Sequence, residues 1–305
     1  MESVRSLGPA AVGAPSVLAT LCRWGVLVVA ALVVALSPGS GAAQSAAGAT
    51  PAPAEVYVFR AMGGKFVSRE MDNLAQKIEA RGLPVEVNNY TGWTRPAKEA
   101  IKRYRAAAVK PRIIAIGHSA GGDSAIRFAL TLKRAQVPVD LIVTLDPTRI
   151  ANRVPANVAR FINIYSSEHT FGGGDPAPSP DFKGHFASVD LKDYSDIWHI
   201  YMPGMATLQD AVVAKILEVV NAPLPPSDNP VAIEYALPKD AAFELWDSGV
   251  AVVAGAGETA ATVAAQFGVP AWAVAGINRL SVDAPLAAGQ RLVVPRRLAS
   301  ASPPG

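Results

Sequence analysis

The sequence is poor in cysteine, histidine and charge. It contains one cysteine, Cys22, in 305 residues, so it offers no pair for an intramolecular disulfide, and cysteine usage does not indicate the redox compartment. Charged residues make up 17% of the chain, with a formal net charge of +3 and no concentrated basic stripe, which argues against nucleic-acid binding. Neither a His-Glu-x-x-His motif nor a cysteine–histidine cluster occurs. We therefore expect no metal, no other cofactor and no nucleic-acid partner.

No hydrophobic run is long enough for a comfortable membrane span. Residues 24–36 (WGVLVVAALVVAL) fall short of the about 20 residues that a transmembrane helix needs, but they suit the hydrophobic region of a signal peptide. Small residues follow, and we expect cleavage after Ala43, so that residues 1–43 are a signal peptide. The protein would then be exported to the periplasm or cell envelope. An uncleaved N-terminal membrane anchor is the alternative, because the segment before the run is unusually long.

Short apolar segments alternate with helical patterns through residues 55–220. This alternation predicts an α/β domain with a doubly wound, mainly parallel sheet, in which ligands bind beyond the carboxyl ends of the strands. Residues 44–54 are rich in small residues and proline, and we predict a linker there. Residues 221–248 begin with NAPLPPSDNP, which contains four prolines. We predict that they form a second linker and connecting segment that holds two independently folded units apart.

A glycine-flanked serine stands between a predicted strand and a predicted helix. Residues 112–122 read RIIAIGHSAGG, and a strand before Ser119 with a helix after it is the context of a nucleophile elbow. Gly117 and Gly121 leave the space that so sharp a turn needs. The amide of Ala120, at the helix N-terminus, is then directed to where an oxyanion would form. We interpret Ser119 as a nucleophile.

A serine nucleophile needs a base, and that base needs a third group to orient it. Of the four histidines, His199 is the best candidate for the base, because it precedes the last helix of the domain, from where it can reach over the sheet. His185 is the second candidate, and His169 follows a strand end. His118 adjoins the serine in sequence, and we expect it to point away and to serve packing or hydrogen bonding.

Two carboxylates compete for the third role. Asp146 ends the strand that follows the nucleophile helix. Glu168 follows the next strand and is the alternative, and Asp196 lies further back. We predict a catalytic set of Ser119, Asp146 and His199.

The serine, aspartate and histidine occur in the order that the α/β-hydrolase superfamily shows, and the resemblance covers residues 55–220. The Leu-Asp-Pro sequence at Asp146 resembles the arrangement of pancreatic-type lipases, whereas the compact size is similar to that of a cutinase or a small thioesterase-like lipase. The resemblance implies a serine hydrolase that acts on ester or thioester bonds. It also implies that a second oxyanion-hole amide comes from the loop FRAMGGKF, from Ala61 or Met62.

The C-terminal part carries a different set of marks. These are the tripeptide GET, the helical pattern AATVAAQFGV, a second short helical pattern, and PLAAGQRLVVP as a closing strand. Together they resemble a LysM module, which we predict over residues 249–297. The resemblance implies a β-α-α-β fold that binds peptidoglycan or another N-acetylglucosamine glycan. It places the glycan-binding residues at Gly257, Glu258, Thr259 and Asn278.

These patterns predict an exported serine hydrolase, an esterase or lipase by type, that is tethered to cell-wall glycan. Its partners would be an acyl-ester substrate and peptidoglycan, with a membrane involved only through an uncleaved N-terminal anchor. The alternative is a non-catalytic peptidoglycan-binding protein with a hydrolase-like domain. The presence of all three residue types in the expected order favours an enzyme.

Overall fold

The computed structural model describes residues 53–221 and 229–296. The signal peptide predicted for residues 1–43 and nearly all of the first linker lie outside these ranges. Within them, no helix is long and apolar enough to cross a membrane.

Seven strands form one parallel sheet. They are β1 (Ala54–Phe59), β2 (Val85–Asn88), β3 (Arg112–His118), β4 (Leu141–Leu145), β5 (Arg160–Tyr165), β6 (His185–Asp190) and β7 (Ile233–Ala236). Their order is β2-β1-β3-β4-β5-β6-β7, and every neighbouring pair is parallel. The predicted α/β sheet is therefore confirmed.

Helices cover both faces of this sheet. One face carries α1 (Arg69–Glu79) and α4 (Ala206–Asn221), and the other carries α2 (Thr94–Ala106) and α3 (Ala120–Arg134). Each face has its own apolar core, so the strands are buried on both sides, as their continuous apolar sequences require. The stripe expected on α1 is buried as its helical spacing predicts: Met71, Leu74, Ala75 and Ile78.

The seventh strand comes from the segment that the sequence predicts to be a linker. Within residues 221–248, Ile233 pairs with Ala187 of β6, and the pairing continues to the end of β7. Ile233 and Tyr235 point into the core, whereas Glu234 between them is exposed. A strand this short has only two buried positions, so the alternation of apolar and polar residues is too brief to predict a strand next to the proline-rich stretch.

A small module follows the sheet. It consists of β8 (Gly249–Val253), α5 (Ala260–Phe267), α6 (Ala271–Asn278) and β9 (Arg291–Pro295), with β8 and β9 antiparallel. Thr259 caps α5 by a reciprocal capping box with Thr262, and Gly268 ends that helix in the left-handed conformation. The predicted β-α-α-β order is confirmed.

This module shares an apolar interface with the sheet domain. The ring of Trp272, on α6, lies 5.6 Å from the ring of Trp246 and 6.2 Å from that of Tyr235. Ala273 belongs to the same buried cluster as the sheet, and Trp246 is fully buried. The prediction that the two units are held apart is therefore wrong, because aromatic residues that follow the prolines pack between them.

A buried polar cluster reinforces this interface at the amino ends of β5 and β6. Arg160 forms an ion pair with Asp247, and both side chains are about 1% exposed. His185 Nδ1 lies 2.9 Å from the Ser248 hydroxyl. Arg296, just after β9, also contacts the Ser248 hydroxyl at 2.9 Å. Charges in such a site are stable only when they are paired, so the cluster fixes the position of this connection.

Candidate active site

Ser119 occupies a strained turn between β3 and α3. Its φ and ψ angles are 54° and −128°, in a region that non-glycine residues rarely adopt. A Cβ atom on Gly117 would lie 2.0 Å from the Gly121 carbonyl oxygen, and one on Gly121 would lie 2.2 Å from that of Phe59. Side chains at either position would therefore displace backbone. The glycine pattern GHSAG is required by this turn, as the sequence predicts.

The structure brings Ser119, His199 and Asp146 together at the carboxyl ends of the strands. His199 Nε2 lies 3.0 Å from the Ser119 hydroxyl, and His199 Nδ1 lies 2.5 Å from Asp146 Oδ2. β3 and β4 are adjacent and in register, with His118 opposite Leu145, so the residues that follow them emerge side by side. His199 reaches them from the loop before α4.

The carboxylate of Asp146 is buried and held by several donors. The amides of Gly173 and Ser166 donate to its Oδ1 at 2.8 and 3.2 Å. Burial by itself would raise the pKa of Asp146, but hydrogen bonds from the imidazoles of His199 and His169 and from the Gly173 amide hold that pKa below its ordinary value. The side chain is therefore an anion that accepts hydrogen bonds from its neighbours.

The glycine-rich loop after β5 leaves the space in which the Asp146 carboxylate contacts His199. Gly172 has φ +97°, and a Cβ atom there would lie 2.5 Å from both Asp146 Oδ2 and His199 Nδ1. The residue must therefore be glycine for both steric and backbone reasons.

His169 contacts the same carboxylate oxygen as His199. Its Nδ1 lies 2.5 Å from Asp146 Oδ2, and its Nε2 lies 2.7 Å from the Ile197 carbonyl oxygen. The sequence places this residue only after a strand end, because the contact joins two loops that are far apart along the chain. No local motif indicates it.

His118 packs against the other side of His199. The two rings are 4.8 Å apart, and His118 Nε2 donates to the His199 carbonyl at 3.0 Å. Burial lowers the pKa of His118 to about 3, so the ring is neutral near neutral pH. Its Nδ1 has no partner among the described residues, which fits a ring with its one proton on Nε2. The hydrogen bond agrees with the role that the sequence predicts for His118, but the expectation that the ring points away is wrong, because it lies beside His199 and lines the cavity at the serine.

Of the three predicted oxyanion-hole amides, one is already occupied. The Ala61 amide donates to the Ser68 hydroxyl at 2.9 Å. The Met62 amide and the Ala120 amide, at the start of α3, donate to no described residue. The loop is held by Arg60, whose guanidinium pairs with Asp72 of α1 at 2.6 Å. The geometry therefore favours Met62 over Ala61 as the second donor.

The remaining candidates lie elsewhere. Glu168 is exposed, and Asp196 is paired with Lys239 at 2.9 Å on the surface. His185 begins β6, at the opposite end of the sheet from Ser119. None of the three contacts His199.

A cavity of about 280 Å³ opens beside the serine hydroxyl. Ser119, His118, His199 and Ala61 form its base. Its other lining residues are large exposed apolar side chains on three loops: Met62, Val67, Phe171, Trp198 and Ile200. The mouth of the site is thus an exposed apolar surface, which is the kind of surface that marks a binding site.

Asp146, His169 and His199 also present three atoms of metal-ligating type within 4.8 Å of one another. Ligand atoms about 2.0 Å from a tetrahedral ion lie about 3.3 Å apart, whereas each imidazole nitrogen here is 2.5 Å from the carboxylate oxygen. The spacing fits hydrogen bonds and not ligation.

In the C-terminal module, the predicted glycan residues are mostly bonded internally. Glu258 accepts from the Gly255 amide and from Gln266, each at 2.6 Å. Asn278 donates to the Val274 and Val293 carbonyls and accepts from the Val293 amide, each at 2.7 Å. The structure therefore gives Asn278 a structural role, tying α6 to β9. Gly257 is open, with no atom within 4 Å of where a Cβ would stand, and Thr259 caps α5.

Comparison with known proteins assigns the C-terminal part. Residues 253–295 match the family model of the LysM domain. None of the curated proteins matches the chain.

Several solved structures match part of the chain. One is a protein from Xanthomonas campestris pv. campestris described as a hydrolase of the alpha/beta superfamily, with 16% identity, a TM-score of 0.36, and coverage of 54% of this chain and 98% of that one. Est1E from Butyrivibrio proteoclasticus has 11% identity, a TM-score of 0.39, and coverage of 57% and 90%. The RedJ thioesterase of the prodiginine pathway in Streptomyces coelicolor has 14% identity, a TM-score of 0.33, and coverage of 56% and 89%.

The chain's own sheet and elbow define its class. A parallel sheet with helices on both faces and a serine on a strand–turn–helix elbow is the α/β-hydrolase fold. The protein combines that fold with a C-terminal LysM domain.

Proposed function

We propose that the protein is an exported serine hydrolase of carboxylic esters that is tethered to cell-wall glycan by its LysM domain. The single observation that carries the enzymatic part is the continuous contact from Ser119 through His199 to Asp146. A buried, ionised carboxylate fixes the imidazole with Nδ1–H facing it, which leaves Nε2 free to accept the serine proton.

The reaction follows from these contacts. Ser119 Oγ attacks the acyl carbonyl as His199 Nε2 takes the hydroxyl proton, and the negative charge on the carbonyl oxygen is stabilised by the Ala120 and Met62 amides. His199 then gives the proton to the leaving alcohol, which departs as the C–O bond breaks. Water, deprotonated by the same nitrogen, attacks the acyl-enzyme, and the serine leaves with that proton.

The mouth of the cavity supports an apolar acyl group as the substrate. Trp198 is 70% exposed and Phe171 is 79% exposed, so both offer apolar surface that a bound acyl chain would cover. Each methylene group that becomes buried contributes about 0.8 kcal/mol. A charged acyl chain would lose its hydration there without gaining a partner.

Export and wall attachment complete the proposal. They are supported by the N-terminal sequence pattern and by the LysM family's affinity for N-acetylglucosamine glycans. Binding to glycan would raise the local concentration of the enzyme near envelope esters without changing the chemical step.

Hydrolysis of p-nitrophenyl esters tests the enzymatic part. The wild-type protein should hydrolyse them, and faster as the acyl chain lengthens to fill the mouth. Ser119→Ala should lose on the order of 10⁶-fold in turnover, since the triad works as a unit. Ser195→Ala is the matched control and should keep the wild-type rate, because Ser195 is an exposed serine in the loop between β6 and α4 that carries His199 (the catalytic loop). Hydrolysis by Ser119→Ala within tenfold of wild type would refute the role of this serine.

Co-sedimentation with insoluble peptidoglycan tests the tether. The full-length protein should pellet with the glycan and should be released by soluble N-acetylglucosamine oligosaccharides. Failure to pellet would contradict the proposed attachment.

A further inference from the structure

Both ring nitrogens of His169 face oxygen atoms that can only accept hydrogen bonds. Nδ1 faces Asp146 Oδ2 at 2.5 Å, and Nε2 faces the backbone carbonyl of Ile197 at 2.7 Å. A neutral imidazole carries one N–H and can satisfy only one of them, whereas an imidazolium satisfies both.

The two acceptors belong to the parts of the site that must stay aligned. Asp146 follows β4, and Ile197 lies two residues before His199 in the catalytic loop. His169 follows β5 and therefore links the carboxylate to that loop from a third element. The side chain is 13% exposed, so water competes weakly for these bonds.

We propose that His169 is a positioning residue, which as an imidazolium holds Asp146 and the His199 loop in the arrangement that the hydrolase requires. The proposal rests on the proposed function.

Other charged groups surround this ring. Arg149, from the loop after β4, donates to the His169 carbonyl at 3.0 Å, and Glu168 precedes it on the exposed side. His199 stands edge-on, with ring centres 6.1 Å apart, and His118 is neutral. An imidazolium at this distance opposes a second positive charge on His199.

Three substitutions of His169, to Asn, Gln and Phe, separate its contacts with Asp146 and with Ile197. Asn places an amide nitrogen at the position of Nδ1 and keeps the donor to Asp146. Gln places one at the position of Nε2 and keeps the donor to Ile197. Phe keeps a ring and removes both donors. Glu168→Gln, which changes the charge of the neighbouring exposed residue, is the matched control.

The readout is kcat and KM for a soluble p-nitrophenyl ester as a function of pH. His169→Phe should lower kcat by on the order of 10²-fold, as expected when a catalytic group is displaced by about 1 Å, with KM nearly unchanged. Asn and Gln should each recover part of that loss. Recovery by these two variants, each of which keeps one of the two donors, is a result that loss of packing alone would not give. Glu168→Gln should match wild type.

Nitrogen NMR of histidine-labelled wild-type protein gives a second measurement, and His169→Phe assigns the signal. One histidine should carry protons on both ring nitrogens at the pH of full activity, and its signal should be absent from His169→Phe. Only singly protonated histidines, or a His169→Phe enzyme with wild-type kcat, would overturn the proposal. An active Ser119→Ala protein would instead refute the proposed function itself.

Discussion

At the scale of single residues, the site is built from three histidines and one aspartate around one serine. Sequence order identifies Ser119, Asp146 and His199, because each follows a strand or precedes a helix in a recognisable way. The second imidazole at Asp146 has no such local signature. His169 comes into place only when loops after two different strands meet the catalytic loop.

The buried ring of His118 makes the fold sensitive to acid. Its pKa is lowered from 6.5 to about 3 by burial, so the unfolded chain binds a proton through this pH interval that the folded chain does not. Stability from this residue is therefore present above pH 6.5 and is lost as the pH falls toward 3.

His118→Gln tests this effect, because the Gln amide keeps a donor at the position of Nε2 toward the His199 carbonyl. The free energy of unfolding of the wild-type protein should fall relative to that of the variant as the pH is lowered through this interval. Urea titrations at a series of pH values measure it. A difference that stays constant with pH would contradict the assignment of a neutral buried ring.

At the scale of elements, local sequence patterns are sufficient to predict the nucleophile elbow but insufficient to predict the contacts that the loops make. The GHSAGG turn is predictable because its steric demands fall within a few residues. The glycines after β5 serve a contact that no pattern shows, since a Cβ on Gly172 would meet two side chains from other loops.

Gly172→Ala should therefore damage the site more than the fold. The new methyl group would push Asp146 and His199 apart and should lower kcat by on the order of 10²-fold. Gly82→Ala is the matched control, since Gly82 also has positive φ (+81°) but no atom lies within 4 Å of a Cβ there. Both variants should lose similar stability, measured by thermal unfolding. Equal kcat in the two variants would show that the contact with Gly172 is unimportant.

At the scale of the whole molecule, the proline-rich stretch leads to a wrong prediction of a linker. Its composition predicts that the sheet domain and the LysM module are separate. However, β7 and Trp246 lie beyond the prolines and belong to the core of the sheet domain, and Asp247 beyond them pairs with Arg160 of β5. Their partners are distant in sequence, so neither periodicity nor composition reveals them. The α/β class and the LysM module are predictable because each is carried by repeated local patterns.

The sheet domain should therefore depend on the residues after the prolines. Truncation after Asn221 removes β7 and uncovers the edge of β6, and we expect an insoluble or inactive protein. Trp246→Ala in the full chain should lower the free energy of unfolding by about 3–5 kcal/mol, as for other large buried aromatic residues. It should leave a single thermal transition. A truncated protein with wild-type melting temperature and ester hydrolysis would show that the two units are independent.

The site of labelling by a fluorophosphonate tests most directly whether Ser119 is the nucleophile. Such a reagent reacts with an activated serine and leaves a covalent adduct, which peptide mass spectrometry locates. We expect one adduct, on Ser119, which forms at least 10²-fold more slowly in His199→Gln because the serine then lacks its base. An adduct on another serine, or no adduct on the folded wild-type protein, would contradict it.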